Sequence, residues 1–246
     1  IILNTTKIIG ISKFICKSTS KYLEKYNESN FTVLYNCVDV SQFNKELWIK
    51  ERCELRKEYG VNDDEVLIMF SGRLNAEKGI IELIKAFRMV KNKNIKLLIV
   101  GSFFYDTDMG SNQDKQINSL TKGIRDKMIF TGYIPYQKMP QIYASADFAV
   151  LPSMWEEPAG LTVIEAMSTG LPVITTNSGG IPEYVTCECA FLINRDKNIC
   201  AAIANKIELL VTNKELRIKM GNKGRKNALK YNVENYYKNF VKIISN

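Results

Sequence analysis

Two short segments gather the residues best able to do chemistry. The first, Ser71-Gly72-Arg73-Leu74-Asn75-Ala76-Glu77-Lys78-Gly79, follows an apolar run and sets two cations five residues apart on a glycine-bracketed loop that enters a helix. Backbone N–H groups at a helix N-terminus attract an anion, and a neighbouring Arg and Lys can clamp a diphosphate. Two surface cations on a loop are the plainer alternative, and the P-loop pattern G-x-x-x-x-G-K-[ST] is absent. The second segment runs from Leu151 through Pro152, Glu157, Pro158, Ala159, Gly160, Leu161, Thr162 and Glu165 to Met167. Four of the six prolines fall between 152 and 182, which holds this backbone stiffly. Gly160 permits close approach of a ligand where a helix begins. Glu157 lies in the loop, and Glu165, eight residues on, sits on the second helical turn facing the same way as Leu161. Two carboxylates flanking a helix N-terminus suit a ligand with a phosphate at one end, met by the Gly160 and Leu161 amides, and hydroxyls at the other. Helix capping by Glu157 and Glu165 is the competing reading; it accounts for one carboxylate but not for the whole run.

What is missing narrows the chemistry further. The 246 residues include no histidine, which excludes a Ser-His-Asp triad, a Cys-His nucleophile pair and imidazole metal ligation. Six cysteines show no C-x-x-C pair and no zinc spacing, so they read as reduced thiols of a cytoplasmic protein with no metal centre. No strand is followed by G-x-G-x-x-G, which argues against a dehydrogenase. There is no signal-peptide pattern and no run of 18 apolar residues. The chain opens without Met, and a fragment or excised domain is expected. Of the net charge of +8, residues 205–246 carry +7. That basic tail either meets an anionic surface, such as the inner face of a membrane, or forms solvated helix faces; nucleic acid is not an expected partner.

These loops need a frame to hold them. Apolar runs at 7–12, 31–35, 65–72, 96–101, 127–132, 147–152 and 171–176 alternate with helical periods near 13–26, 45–59, 79–91, 113–126, 137–145 and 160–169. Continuous apolar strands alternating with helices predict an α/β fold, a doubly wound parallel sheet covered on both faces. Helices alone are expected from 198 onward, broken at Gly221 and Gly224. A turn-rich stretch divides the chain into 1–36, a linker at 37–45, and a domain from 46 to 246.

The string PSMWEEPAGLTVIEAMSTGLPVITTNSGGIPEYV resembles the signature of group 1 glycosyltransferases, with Glu157 and Glu165 as its E-x7-E pair. FSGRLNAEKGI is similar to that family's phosphate loop, and FTGYIPYQKMPQIYASADFAVLPS to its base-binding segment. The resemblance spans about residues 7–245 and implies a GT-B fold of two Rossmann-like domains. Residues 1–36 then correspond to the end of the acceptor domain and 46–246 to the nucleotide-sugar-binding domain. It further implies that Arg73 and Lys78, beside Gly72, hold the diphosphate and that Glu157 contacts sugar hydroxyls. Glu165 is implied to bind the ribose, the Ala159, Gly160 and Leu161 amides with the Thr162 hydroxyl to complete the phosphate site, and Tyr133 and Ile134 after Gly132 to meet the base. The expected reaction is retaining transfer from a UDP- or GDP-linked sugar to a glycan or lipid-linked acceptor, without a metal cofactor. Ala159 stands where the family often has Phe, and VGSFFYDTDMG lacks the usual G-x-G-P turn, so base and sugar stay open. Rival readings are a GT-A metal site at Asp106-Thr107-Asp108, a nucleotide-sugar epimerase on the same plan, and a nucleotide-sugar-binding domain without catalysis.

Overall fold

The computed structural model describes residues 7–23, 28–102 and 112–245. In chain order the elements begin with β1 (Ile8–Gly10), α1 (Lys13–Ser20), β2 (Phe31–Val33) and α2 (Ile49–Glu58). Then follow β3 (Val66–Ser71), α3 (Ile80–Met89), β4 (Ile95–Val100), α4 (Asn112–Thr121), β5 (Met128–Gly132), α5 (Met139–Ser145), β6 (Phe148–Leu151), α6 (Leu161–Thr169), β7 (Val173–Thr176) and β8 (Ala190–Ile193). Three helices close the chain: α7 (Ile199–Thr212), α8 (Lys214–Ala228) and α9 (Val233–Ile244).

Six strands form one sheet in the order β5-β4-β3-β6-β7-β8, and every pairing is parallel. This is the doubly wound arrangement expected from the apolar runs. Alternate residues of each strand serve opposite faces. Ile68, Phe70, Leu97, Ile99 and Val150 join a core with α3 and α7, whereas Leu67, Met69, Leu98, Ala149 and Val173 join one with α5 and α6. Burial on both faces is what makes such strands continuously apolar. Chain order reverses between β3 and β6, neighbours in the sheet although far apart in sequence.

β1 and β2 form a separate two-stranded parallel sheet. It is fastened to the main body through the start of α1. The buried Ser12 hydroxyl donates to the Pro158 carbonyl at 2.6 Å, and the Lys13 and Phe14 amides both donate to the Glu183 carboxylate at 2.8 Å. That places a carboxylate on the positive end of the helix. The segment 37–45 is packed: Val38 and Phe43 are buried in the second core, and the Val38 amide donates to the Tyr231 carbonyl at 2.9 Å.

Three expectations are corrected. β8 went unread because four residues at the sheet's edge, only half of them buried, make no long apolar run. The helix expected over 45–59 divides into a 3-10 turn, Lys45–Trp48, and α2. The predicted breaks at Gly221 and Gly224 do not occur; α8 runs straight through both. The breaks fall instead at Asn213 and Asn232, whose side chains cap α8 and α9. The glycines let α8 lie directly on the end of α6. A Cβ at Gly221 would stand 2.1 Å from the Gly170 carbonyl oxygen, whereas one at Gly224 would meet Cys189 and Met167 at an ordinary 3.5 Å.

Opposite outcomes are therefore expected at two positions of one helix. Gly221→Ala should lower stability by about 2 kcal/mol despite its better helix propensity, because backbone must move. Gly224→Ala should be neutral or stabilising by up to about 1 kcal/mol. Urea unfolding of both variants checks this, and equal effects would contradict the packing described.

Candidate active site

Ligands of open parallel sheets bind beyond the carboxyl ends of the strands where chain order reverses. Here that point is the gap between β3 and β6, and the loops leaving those two strands are the segments with chemically capable residues. The first loop turns through Asn75, whose side chain accepts from the Lys78 amide at 3.1 Å, and ends at Gly79. Gly79 has φ +73°, and a Cβ there would stand 2.0 Å from the Pro152 carbonyl oxygen. The two loops touch backbone to backbone at this glycine. They are joined again where the Met154 amide donates to the Glu77 carbonyl at 2.7 Å.

Their side chains converge as well. Lys78 forms an ion pair with Glu157, the Ser153 hydroxyl donates to the same carboxylate oxygen at 3.0 Å, and the Lys78 ammonium lies 5.6 Å from the centre of the Trp155 ring. The neighbouring Glu156 is turned away. It pairs with Arg195 and accepts from the Gly179 amide at 2.6 Å, contacts that hold its pKa below the ordinary value. Of two adjacent glutamates, only Glu157 faces the cleft.

Two cavities meet across the first turn of α6. One, of 270 Å³, is lined by Lys78, Ser153, Glu157 and the stretch Pro158–Val163, with Ile11 from the N-terminal segment on its wall. The other, of 420 Å³, is lined by Gly72, Arg73, Tyr133, Ile134, Tyr136 and Glu165 among others. Ser71, Leu161 and Thr162 border both. No side chain caps α6 at Gly160, so its first amides point into this junction. Arg73 lies 3.7 Å from Glu77 at the mouth of the larger cavity.

Every expected site residue except Gly132 lines one cavity or both. Gly132 lies beside them at the end of β5, its carbonyl accepting from the Gly101 amide at 3.0 Å. Neither Glu157 nor Glu165 caps a helix. The sequence reading missed Ser153, Tyr136 and Tyr143. Ser153 sits where β6 ends, a position that could have marked it. Tyr143 is buried in α5 and gives no local sign of a role; its hydroxyl donates to Glu165 at 2.9 Å. Among the described residues no group of three or more Cys, Asp or Glu could hold a metal ion, and Asp106-Thr107-Asp108 lies outside them.

Glu165 is the buried acid of the site, only 6% exposed. Burial pushes its pKa from 4.5 up to about 7, while hydrogen bonds from Tyr143 and Tyr136 pull the other way. Near neutral pH its carboxyl is therefore divided between the protonated and ionised forms.

A family model described as "Glycosyl transferases group 1" matches residues 51–227. The Bacillus subtilis protein YtcC is 32% identical over 233 residues, covering 92% of this chain and 56% of YtcC. The capsular polysaccharide biosynthesis glycosyltransferase CapM of Staphylococcus aureus is 31% identical over 231 residues, covering 90% and 56% of the two chains. The chain thus spans about half the length of the curated relatives it matches. Among solved structures, HepE of Anabaena in complex with UDP and glucose aligns with a TM-score of 0.83 at 22% identity, over 98% of this chain and 63% of that one. Likeness at that identity establishes the fold.

The buried acid has a measurable signature. Its contribution to stability is fully present below pH 4.5 and is lost as pH rises through about 7, since the unfolded chain ionises first. Glu165→Gln stays neutral and escapes the loss. Relative to that variant, unfolding free energy of the unaltered chain should fall by on the order of 3 kcal/mol between pH 4.5 and 8. Parallel stability curves for the two proteins would remove the burial argument.

Proposed function

Because the chain belongs to the group 1 glycosyl transferases, we propose that it is the donor-binding half of a retaining GT-B enzyme that moves a sugar from a nucleoside-diphosphate sugar to a glycan or lipid-linked acceptor. One observation carries this reading: two cavities meet at the uncapped start of α6, with Arg73 and Lys78 on one flank and Glu157 and Glu165 on the other. A diphosphate fits the junction, a sugar the smaller cavity, and a nucleoside the larger.

In this reading the base lies against the backbone of Tyr133 and Ile134, and Glu165 accepts from the ribose hydroxyls. The Ala159, Gly160 and Leu161 amides and the Thr162 hydroxyl meet the phosphates. Arg73 and Lys78 complete the clamp. Lys78 reaches the phosphate by leaving Glu157, which frees that carboxylate to accept from sugar hydroxyls; each charge exchanges one partner for another, so neither is left buried and unpaired. As the anomeric bond breaks, negative charge grows on the departing β-phosphate. Cations and amides already aimed there stabilise the transition state more than the ground state, and no metal ion is required of them. We infer that the transfer proceeds with retention, by front-face attack.

The acceptor is assigned to a second domain, because relatives about twice as long contain more than this region. UDP is the first donor base to examine, since solved complexes of HepE hold UDP and UDP-glucose. The cytoplasmic side of a membrane, where lipid-linked acceptors present their sugars, is the proposed location; among the described residues no helix is long and apolar enough to cross a membrane.

Calorimetric titration of this chain with UDP, GDP and ADP, then with the matching sugar nucleotides, tests the assignment. One diphosphate should bind with a one-to-one ratio, and no binding to any of the three would sink the proposal. In the full-length enzyme, Arg73→Ala should cost about 3 kcal/mol or more in kcat/KM, roughly a hundredfold, and activity should persist in EDTA. A loss below tenfold would remove Arg73 from the leaving-group site.

A further inference from the structure

The other end of the sheet carries a second concave feature, independent of the cleft. A pocket of 230 Å³ opens beside Asp147 and Pro172, at the N-terminal ends of β6 and β7. The four residues of β6, at about 3.3 Å each, put it roughly 13 Å from the loops that end that strand. Lys45, Arg52, Lys214 and Arg217 line the pocket against one carboxylate, Asp147.

That carboxylate is already committed. It pairs with Arg52 at 2.7 Å and with Arg56 at 3.1 Å, and it accepts from the Leu67 amide at 2.7 Å. Arg52 also donates to the carbonyls of Ala144, Ser145 and Ala146 at the end of α5, and Arg217 to those of Leu210 and Val211 in the last turn of α7. The negative ends of those helices amount to about half a charge each, too little to balance the four cations and Arg56. Lys45 and Lys214 have no hydrogen bond or ion pair to any described residue. Burial and the Arg52 charge lower the pKa of Lys45, with Glu46 and Asp147 opposing, and burial lowers that of Arg217. Lys214 opens α8, whose amide end adds positive field of its own.

We propose that this pocket binds a phosphate group, presented by a soluble phosphorylated compound or by a phospholipid headgroup. Its oxygens accept from the two unpaired lysines, while the guanidinium groups, fixed on helix ends, supply field and shape. Both sources fit the surroundings. At 230 Å³ the pocket is large enough for a small anion, and Ile218, 49% exposed on its wall, with Ile49, 65% exposed one helical turn before Arg52, offers apolar surface to a membrane.

The test uses sodium pyrophosphate by calorimetry and flotation with phosphatidylglycerol or phosphatidylcholine vesicles. It compares the unaltered chain, Arg73→Ala, and the double variant Lys45→Gln with Lys214→Gln. The lysines are chosen because Arg52 and Arg217 hold helix ends; if the double variant melts early, each single variant replaces it. Binding to one probe should survive Arg73→Ala, which removes a cation of the nucleotide cleft, and weaken about tenfold or more in the double variant. A response to pyrophosphate alone identifies a soluble ligand; flotation with phosphatidylglycerol but not phosphatidylcholine identifies the headgroup. If neither probe binds, or binding is indifferent to the lysine substitutions, the pocket is not a phosphate site.

Discussion

The cleft depends on one constraint: β3 and β6 are hydrogen-bonded neighbours whose connections leave toward opposite sides of the sheet. With loops parting on both sides, space is left above the pair that neither loop can fill. Residues from the two loops face each other across it. Lys78 and Glu157, 79 positions apart in sequence, come within contact only because of this strand order. The backbone contact of Gly79 with Pro152 then fixes how far apart the loops stand. A side chain at Gly79 would do more than strain the turn; it would push the cationic loop off the carboxylate loop, and the phosphate junction would widen.

The N-terminal segment is bound to this arrangement rather than merely attached to it. Ser12 donates to the carbonyl of Pro158, the residue after Glu157, and Ile11 lines the smaller cavity. Glu183 receives two amides of α1 and the Tyr35 hydroxyl, while the Tyr35 ring meets Tyr184 and Tyr231 edge to face and those two rings lie tilted against each other. Any displacement of the segment therefore pulls on the loop that carries Glu157. Movement of whatever adjoins β1 and β2 has a direct mechanical route to the sugar end of the cleft.

Much of this was legible in the sequence, for physical reasons that can be named. Strands buried on both faces must be apolar throughout, so their positions showed; ligand loops follow strands, so Arg73, Lys78, Glu157 and Glu165 could be picked out. Strand order was beyond local pattern, since nothing in residues 65–72 says that 147–152 lies alongside. The choice between Glu156 and Glu157 likewise rests on Arg195, some 40 positions away, which claims the first of them. Tyr143, which holds Glu165, looks like any aromatic residue in a helix. Gly221 was misread because a glycine in a helical stretch signals a break locally, whereas here it serves a long-range contact that only the folded chain contains.

Part of the basic character also has a structural cause. In a parallel βα sheet each helix runs opposite to its strands, so helix C-termini, with their unpaired carbonyls and negative dipole ends, gather at the strands' N-terminal edge. Arginines meet them one by one: Arg52 at α5, Arg88 at the end of α4, Arg217 at α7, and Arg225 at the Ser168 carbonyl of α6. Two of these lie in the tail that carries most of the net charge. The opposite edge collects helix N-termini and receives anions by the same logic. The fold thus polarises itself, and helix capping accounts for Arg217 and Arg225 among the ten basic residues of the tail. Lys45 and Lys214 depart from that pattern, because they add charge at the same edge while holding no carbonyl of any described residue.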